Sequence, residues 1–392
     1  MRCRHAIFVA LLLATTARAA HAQAGGFVVT LGRDTVQAEQ FTRRGGVFEG
    51  IVVTRVPTTR VARYQMEVDT AGRLVSYDVA TSDAAGVPLT FNGARGSLSA
   101  KGDSMVRITL QDSVLARQVI AAPAGFFPSP TVPYIGVTYL VYEQALQGAR
   151  NHAGGSDSLI RLMTMSPFQK APQATHAWFP TPDSAEIDYF RVARSGYRFD
   201  SHGQLLRADW TNTTYRYVVN RVGTIDVMSL ANAWDAAERR GAGLGALSPR
   251  DTVRATVGGS ELLMDYSRPA ARGRAIWGEV VKPGVVWRLG ADMATHFTTS
   301  RDIRVGDYPL PAGRYTLWMI TGDAGDASLV ISSRVDVFGT QYQPRADLVR
   351  VPLARHLLAS PLERLTIAMS DAAGLTISWG DVSWSIPLRP TP

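Results

Sequence analysis

Three arginines fall within seven residues in the last third of the chain, Arg268, Arg272 and Arg274, and Trp277, Trp287 and Arg288 follow closely. Asp265, Glu279 and Asp292 place carboxylates in the same stretch, and His296 lies just beyond them. A guanidinium fork binds a carboxylate or phosphate through two parallel hydrogen bonds, and it also stacks on aromatic faces. These residue types therefore suit a polar small ligand, with Asp265, Arg268, Arg274, Trp277, Trp287, Arg288, Asp292 and His296 as candidate binding residues. They also suit an internal lattice, with Arg268 or Arg288 held against Asp265, Glu279 or Asp292 to pin a loop over a sheet edge, and this reading of the block weighs somewhat more than the ligand site. No residue is assigned a catalytic role.

Signatures of the common reactions are missing. The chain has no Gly-x-Ser-x-Gly elbow, no His-Glu-x-x-His helix, no phosphate loop and no calcium loop. Gly241-Ala-Gly-Leu-Gly-Ala246 matches the loose dinucleotide pattern, but it follows a helical stretch, whereas that motif must follow a strand. His152, His176, His202, His296 and His356 are at least 24 residues apart, so local spacing builds no metal site. His202 reads as a turn residue, and His176 is placed to meet Asp183 or Asp188 across a turn. His296 is the histidine best suited to function. No cofactor or metal is expected.

The elements that must position these groups are mostly strands. Short alternating runs at 27–31, 35–41, 47–55, 63–68, 74–79, 105–110, 159–163, 187–192 and 215–219 predict an antiparallel meander. Its main helix is expected at 134–150, with Ile135, Tyr139, Tyr142 and Leu146 on one face, after a proline-rich loop at 123–133. A weaker helix is expected at 227–240. Asp69-Thr-Ala-Gly72 and Asp200-Ser-His-Gly203 repeat one turn chemistry, as does Asp371-Ala-Ala-Gly374. After a glycine-rich linker at 241–248, further strands are expected at 253–257, 262–266, 285–289, 294–298, 315–320, 328–332, 348–351, 365–369, 375–379 and 382–386. The fold class is thus mainly β: an N-terminal curved antiparallel sheet domain with one main helix (23–240), then a C-terminal β-sandwich or jelly-roll-like domain (249–390).

Residues 1–22 read as a secretory leader: Arg2 and Arg4 precede an apolar run at 6–15, and Ala20-His-Ala22 offers a cleavage site. The run is shorter than the roughly 20 residues a spanning helix needs. A periplasmic or extracellular location follows, with no transmembrane segment in the mature chain. The single cysteine, Cys3, lies in the leader, so the mature chain has no thiol for disulfides, thiolate metal sites or nucleophilic catalysis. The net charge of +8 falls to +5 once Arg2, Arg4 and Arg18 leave. Basic residues occur at most in pairs with acids interspersed, which excludes a nucleic-acid stripe.

The arginine and tryptophan block resembles a bacterial family of unknown function, DUF2911. The carriers are Ser248-Pro-Arg250, Asp265-Tyr-Ser-Arg-Pro269, Gly273-Arg274 with Ile276-Trp-Gly278, and Val286-Trp-Arg288. Gly290-Ala291 before Ala294-Thr295, Leu310-Pro-Ala-Gly313 with Tyr315-Thr-Leu317, and Asp347-Leu-Val-Arg-Val351 complete it, over about 248–388. The resemblance implies a secreted β-rich domain and no activity. The family usually has Asn-Glu after Gly-Ala; here Asp292-Met293 stands instead, so a role for that glutamate does not transfer. At fold level the first region is similar to curved sheets that cradle lipoprotein tails and other apolar ligands in bacterial envelopes, with Phe126-Phe127 beside the helix. In the alternative, the helix plugs the sheet as core.

The expected function is a non-enzymatic ligand-binding or envelope-associated module, taking a hydrophobic or polar small ligand or an envelope component. Alternatives are a hydrolase of envelope or extracellular polymers and a structural interaction protein.

Overall fold

Strands dominate the computed structural model, which describes residues 22–391 except 71, 90–94, 112–113, 122–125, 129–130, 133–135, 153–159, 166–172 and 190–192. Residues 1–21, all but the last residue of the expected leader at 1–22, lie outside the described residues, as does most of the proline-rich loop. Of that loop only the backbone of Phe126–Pro128 and Thr131–Val132 is described.

The N-terminal half builds one fifteen-stranded sheet among the described residues. From the edge strand Val114–Ala121 it steps back hairpin by hairpin to Gln23–Leu31. There it joins Val218–Val222 and continues outward to Ile160–Met165, whose parallel neighbour is Phe126–Pro128. That last strand returns against Leu74–Ser82, so the sheet curls without closing.

Helix α1 (Tyr139–His152) fills the inside of the curl. Tyr139, Leu140, Ala145 and Leu146 share one core with Phe27, Phe41, Tyr64, Met66 and Tyr77. Helix α2 (Val227–Arg239) packs on the other face, setting Val227, Ala231 and Trp234 against Ala38, Val53 and Val61. Its start is fixed by Asp226, whose Oδ1 accepts the Ser229 N–H at 2.9 Å.

Two boundaries differ from expectation for identifiable reasons. Helix α1 begins at Tyr139 because the buried Glu39 carboxylate accepts the N–H groups of Tyr139 (2.6 Å) and Leu140 (3.3 Å), while Gly136–Val137 pairs as a short strand. Tyr215 to Tyr217 form no strand, since Arg216 has a φ of 59° and breaks the extended run before Val218.

The repeated turns are alike in detail. Asp69 Oδ1 accepts the Arg73 N–H at 2.8 Å and Asp200 Oδ1 the Gln204 N–H at 2.8 Å; Gly72 and Gly203 both have φ 77°. Asp83-Ala-Ala-Gly86 is a further copy, with Asp83 Oδ1 accepting the Val87 N–H at 2.8 Å. These three copies follow from the same local chemistry, an aspartate that bonds its own backbone and a glycine that takes the positive φ. The expected copy at Asp371–Gly374 differs, since Asp371 Oδ1 accepts the Gly258 N–H at 3.0 Å and Ser370 Oγ accepts the Ala373 N–H at 3.0 Å.

The C-terminal region has a six-stranded antiparallel sheet that runs Arg250–Val257, Ser260–Ser267, Thr295–Thr299, Gly313–Thr321, Ala327–Ser332, Asp347–Pro352. The long hairpin Ala354–Ser370 and Gly374–Ile386 supplies the second layer. Met264, Phe297, Leu317 and Ile331 of the sheet meet Leu365, Ile377, Trp379 and Trp384 of the hairpin in one core. A strand expected at 285–289 is absent. Trp287 makes only an isolated two-bond bridge to Met319 (2.8 and 2.9 Å), because Leu289 (φ 55°) and Asp292 (φ 57°) turn the chain out of extended geometry.

Candidate functional site

The segment that leaves the sheet after Ser267 carries the arginine and tryptophan block across to the N-terminal sheet. It is anchored first by Arg268, whose Nε donates to the Leu365 carbonyl (3.1 Å), Nη1 to Asp251 Oδ2 (3.0 Å) and Nη2 to Thr366 Oγ1 (3.1 Å). Arg272 makes the crossing. Its guanidinium pairs with Asp34, its carbonyl accepts the Arg33 N–H at 3.0 Å, and its own N–H reaches Glu363 Oε1 at 2.9 Å. Gly32 admits this approach. It has φ 58°, and a Cβ there would lie 2.2 Å from the Arg272 carbonyl oxygen.

Beside this contact lies a cleft of about 420 Å³ between the two regions. The N-terminal sheet side supplies Leu31, Tyr215, Arg216 and Tyr217, and Leu247 closes one end. From the C-terminal side come Arg272, Arg274, Trp287, Arg288, Asp292 and Trp379. Trp287 stacks on Trp379 with centroids 5.8 Å apart and planes 18° from parallel, and Tyr215 stacks on Tyr217 at 5.5 Å and 23°. Trp287 and Trp379 are held by Trp277, which meets Trp287 edge-on at 6.1 Å and donates its Nε1–H to the Trp379 carbonyl at 3.0 Å.

Two of the cleft's guanidinium groups are fixed by carbonyls. Arg216 donates to Thr211 (2.7 Å) on its own side and to Val280 (2.9 Å) across the junction. Arg274 donates to Ala271 (2.9 Å) and Ala270 (2.6 Å). Neither has a carboxylate within ion-pair distance among the described residues. Burial lowers the pKa of Arg216; burial, then the charges of Arg216 and Arg272, pushes that of Arg274 down to about 10. Arg272 is buried, and among the described residues its Nε has no acceptor. Arg288 lies over Gly339, whose N–H donates to the Asp292 carbonyl at 2.7 Å; a Cβ on Gly339 would lie 2.0 Å from Arg288 Cδ.

Backbone strain gathers at the same place. Five described non-glycine residues adopt positive φ: Arg216, Arg272, Leu289, Asp292 and Asp336. Three of them, Arg216, Arg272 and Asp292, line the cleft.

Of the eight candidate residues, Arg274, Trp287, Arg288 and Asp292 meet in the cleft. Arg268 is an anchor and Trp277 a prop. Asp265 accepts a bidentate pair from Arg250 (2.7 and 2.8 Å), so its partner is neither Arg268 nor Arg288. His296 is buried, and its Nε2 accepts the Asp336 N–H at 3.0 Å while Arg250 Nη2 lies 3.4 Å from Nδ1. Burial first, then the charges of Arg314 and Arg250, lower its pKa and keep the ring neutral. His176 reaches Asp188, Nδ1 to Oδ2, at 3.5 Å. Among the described residues no three His, Cys, Asp or Glu side chains are grouped to hold a metal, and no helix is long and apolar enough to cross a membrane.

Sequence reasoning missed Tyr215, Arg216 and Tyr217, because the positive φ that aims them at the junction leaves no residue-type signal in an arginine. It also missed two buried carboxylates around α1. Glu39 accepts the Tyr64 hydroxyl (2.7 Å) besides the helix N–H groups, and Glu143 pairs with Arg221 (2.8 Å) and accepts the Leu205 N–H (2.7 Å). Burial raises both, Glu39 to about 7.

Residues 248–388 match the model of a family described as protein of unknown function (DUF2911). No curated protein matches the chain. Among solved structures, a DUF1089 family protein from Pseudomonas aeruginosa is similar at 12% identity, covering 52% of this chain and 95% of that one, with a TM-score of 0.25.

Proposed function

We propose that this protein is a non-enzymatic ligand-binding module of the cell envelope or exterior, and that its site is the cleft between the N-terminal sheet and the DUF2911-like region. One observation carries the reading: three of five left-handed non-glycine residues line this one cleft. Each such conformation costs on the order of 1 kcal/mol and persists where the surroundings over-determine it, most often at binding and catalytic sites. The cleft has the size, aromatic walls and few convergent polar groups of a small-molecule site. The leader-like start of the sequence supports export. The hydrolase alternative gains nothing from His296, whose ring is buried and already engaged.

Native mass spectrometry on protein purified from the exported fraction tests the proposal. A small molecule should be retained by the wild type and lost from Trp287→Ala. Bare mass in both, or equal retention in both, would remove the cleft from the account.

A further inference from the structure

We infer that the cleft takes an oxyanion, the phosphate or carboxylate of a ring-bearing small molecule, held between Arg216 and Arg274 with its ring against Tyr217 and Trp287. The inference rests on the cleft being the ligand site and adds the chemical class of the ligand.

Four arginines line the cleft and one carboxylate, the exposed Asp292, faces them. Arg272 has its own counter-charge in Asp34. Arg216 and Arg274 are half-buried and hydrogen-bonded to carbonyl oxygens alone among the described residues, and the one carboxylate whose charge acts on Arg274, Glu363, is outweighed by burial and by Arg216 and Arg272. A carbonyl satisfies an N–H but does not neutralise a cation, so two neighbouring positive charges stay under-compensated in a partly desolvated place.

Together with Lys282 and Glu279, the two side chains also line a second cavity of about 430 Å³. Their positions are fixed before any ligand arrives, because each guanidinium is tied by two or more hydrogen bonds to loop carbonyls. Nη and Nε hydrogens left over after those bonds suit the fork geometry of an oxyanion. The faces of Tyr217 and Trp287 beside them suit a planar ring better than a flexible chain.

Isothermal titration of the full chain with phenyl phosphate, benzoate, inorganic phosphate and phenol tests this. Phenyl phosphate or benzoate should bind at least about tenfold more tightly than phenol, and inorganic phosphate should compete. Tighter phenyl phosphate assigns the anion as phosphate, tighter benzoate as carboxylate; either result supports the inference. Affinity should fall about tenfold or more in Arg274→Gln, with partial recovery in Arg274→Lys. Should the Gln variant fold poorly, the wild type suffices, since Kd for the charged probes must rise with ionic strength while that of phenol does not. Equal binding of phenol and phenyl phosphate, both lost in Trp287→Ala, would overturn the oxyanion and leave the cleft standing. Probe binding indifferent to both Arg274→Gln and Trp287→Ala would overturn both readings, and no binding of any anionic probe would overturn the oxyanion alone.

Discussion

Replacing Glu39 by glutamine should make the protein more stable at neutral pH and change it little in acid. The Glu39 carboxyl is wholly buried beneath α1, and burial raises its pKa from 4.5 to about 7. Hydrogen bonds from Tyr64 (2.7 Å), Tyr139 (2.6 Å) and Leu140 (3.3 Å) favour the anion but do not offset its desolvation, and Glu143 adds repulsion. The folded state therefore keeps this proton to a higher pH than the unfolded chain does. Stability is lost as pH rises from about 4.5 through about 7, at about 1.4 kcal/mol for each pH unit, or roughly 3 kcal/mol in all. Glutamine carries no charge and can still accept the Tyr64 hydroxyl or a helix N–H. Urea unfolding of the wild type and Glu39→Gln, followed by tryptophan fluorescence from pH 4.5 to 8, should show a stability difference that moves by about 3 kcal/mol in favour of the variant. Subtracting the two curves cancels the groups they share. A difference independent of pH would refute the reasoning, because it would mean Glu39 titrates alike in both states.

Three further outcomes test other contacts, the first two at the crossing beside the cleft. Asp34→Ala leaves the buried Arg272 guanidinium without its counter-charge and should cost about 3 kcal/mol in chemical unfolding. Gly32→Ala should be worse than Gly45→Ala: both have positive φ and share about 1 kcal/mol of backbone strain, but only at Gly32 does the new Cβ meet the Arg272 carbonyl; equal melting temperatures would count against that contact. His296 is held neutral in the fold, so it contributes stability that is lost as pH falls below about 6.5, and His296→Gln should flatten the acid limb of a thermal-melt profile.

Much of the strand layout was legible because antiparallel strands with one wet face alternate in sequence, and the DUF2911 motifs located the C-terminal region. The inner part of the first sheet was harder to read. In Asp34–Arg44 one face meets α1 and the other α2, so Glu39 and Ala38 are both fully buried and alternation disappears. Half of the candidate site was visible as a local cluster, since Arg274, Trp287, Arg288 and Asp292 lie within nineteen residues. The other wall, Tyr215 to Tyr217, is more than fifty residues earlier and meets it only through the fold. Ion-pair partners were misassigned for the same reason. Asp265 pairs with Arg250 across adjacent strands, a match set by register and not by distance along the chain.

Hydrogen exchange tests the central claim most directly, comparing protein as purified from the producing cells with protein stripped of small molecules by denaturation and refolded. A ligand seated in the cleft touches both walls, so the account predicts slower exchange in the as-purified protein at 214–217 and 287–292 together. Identical exchange at both segments, or protection confined to one region of the chain, would contradict it.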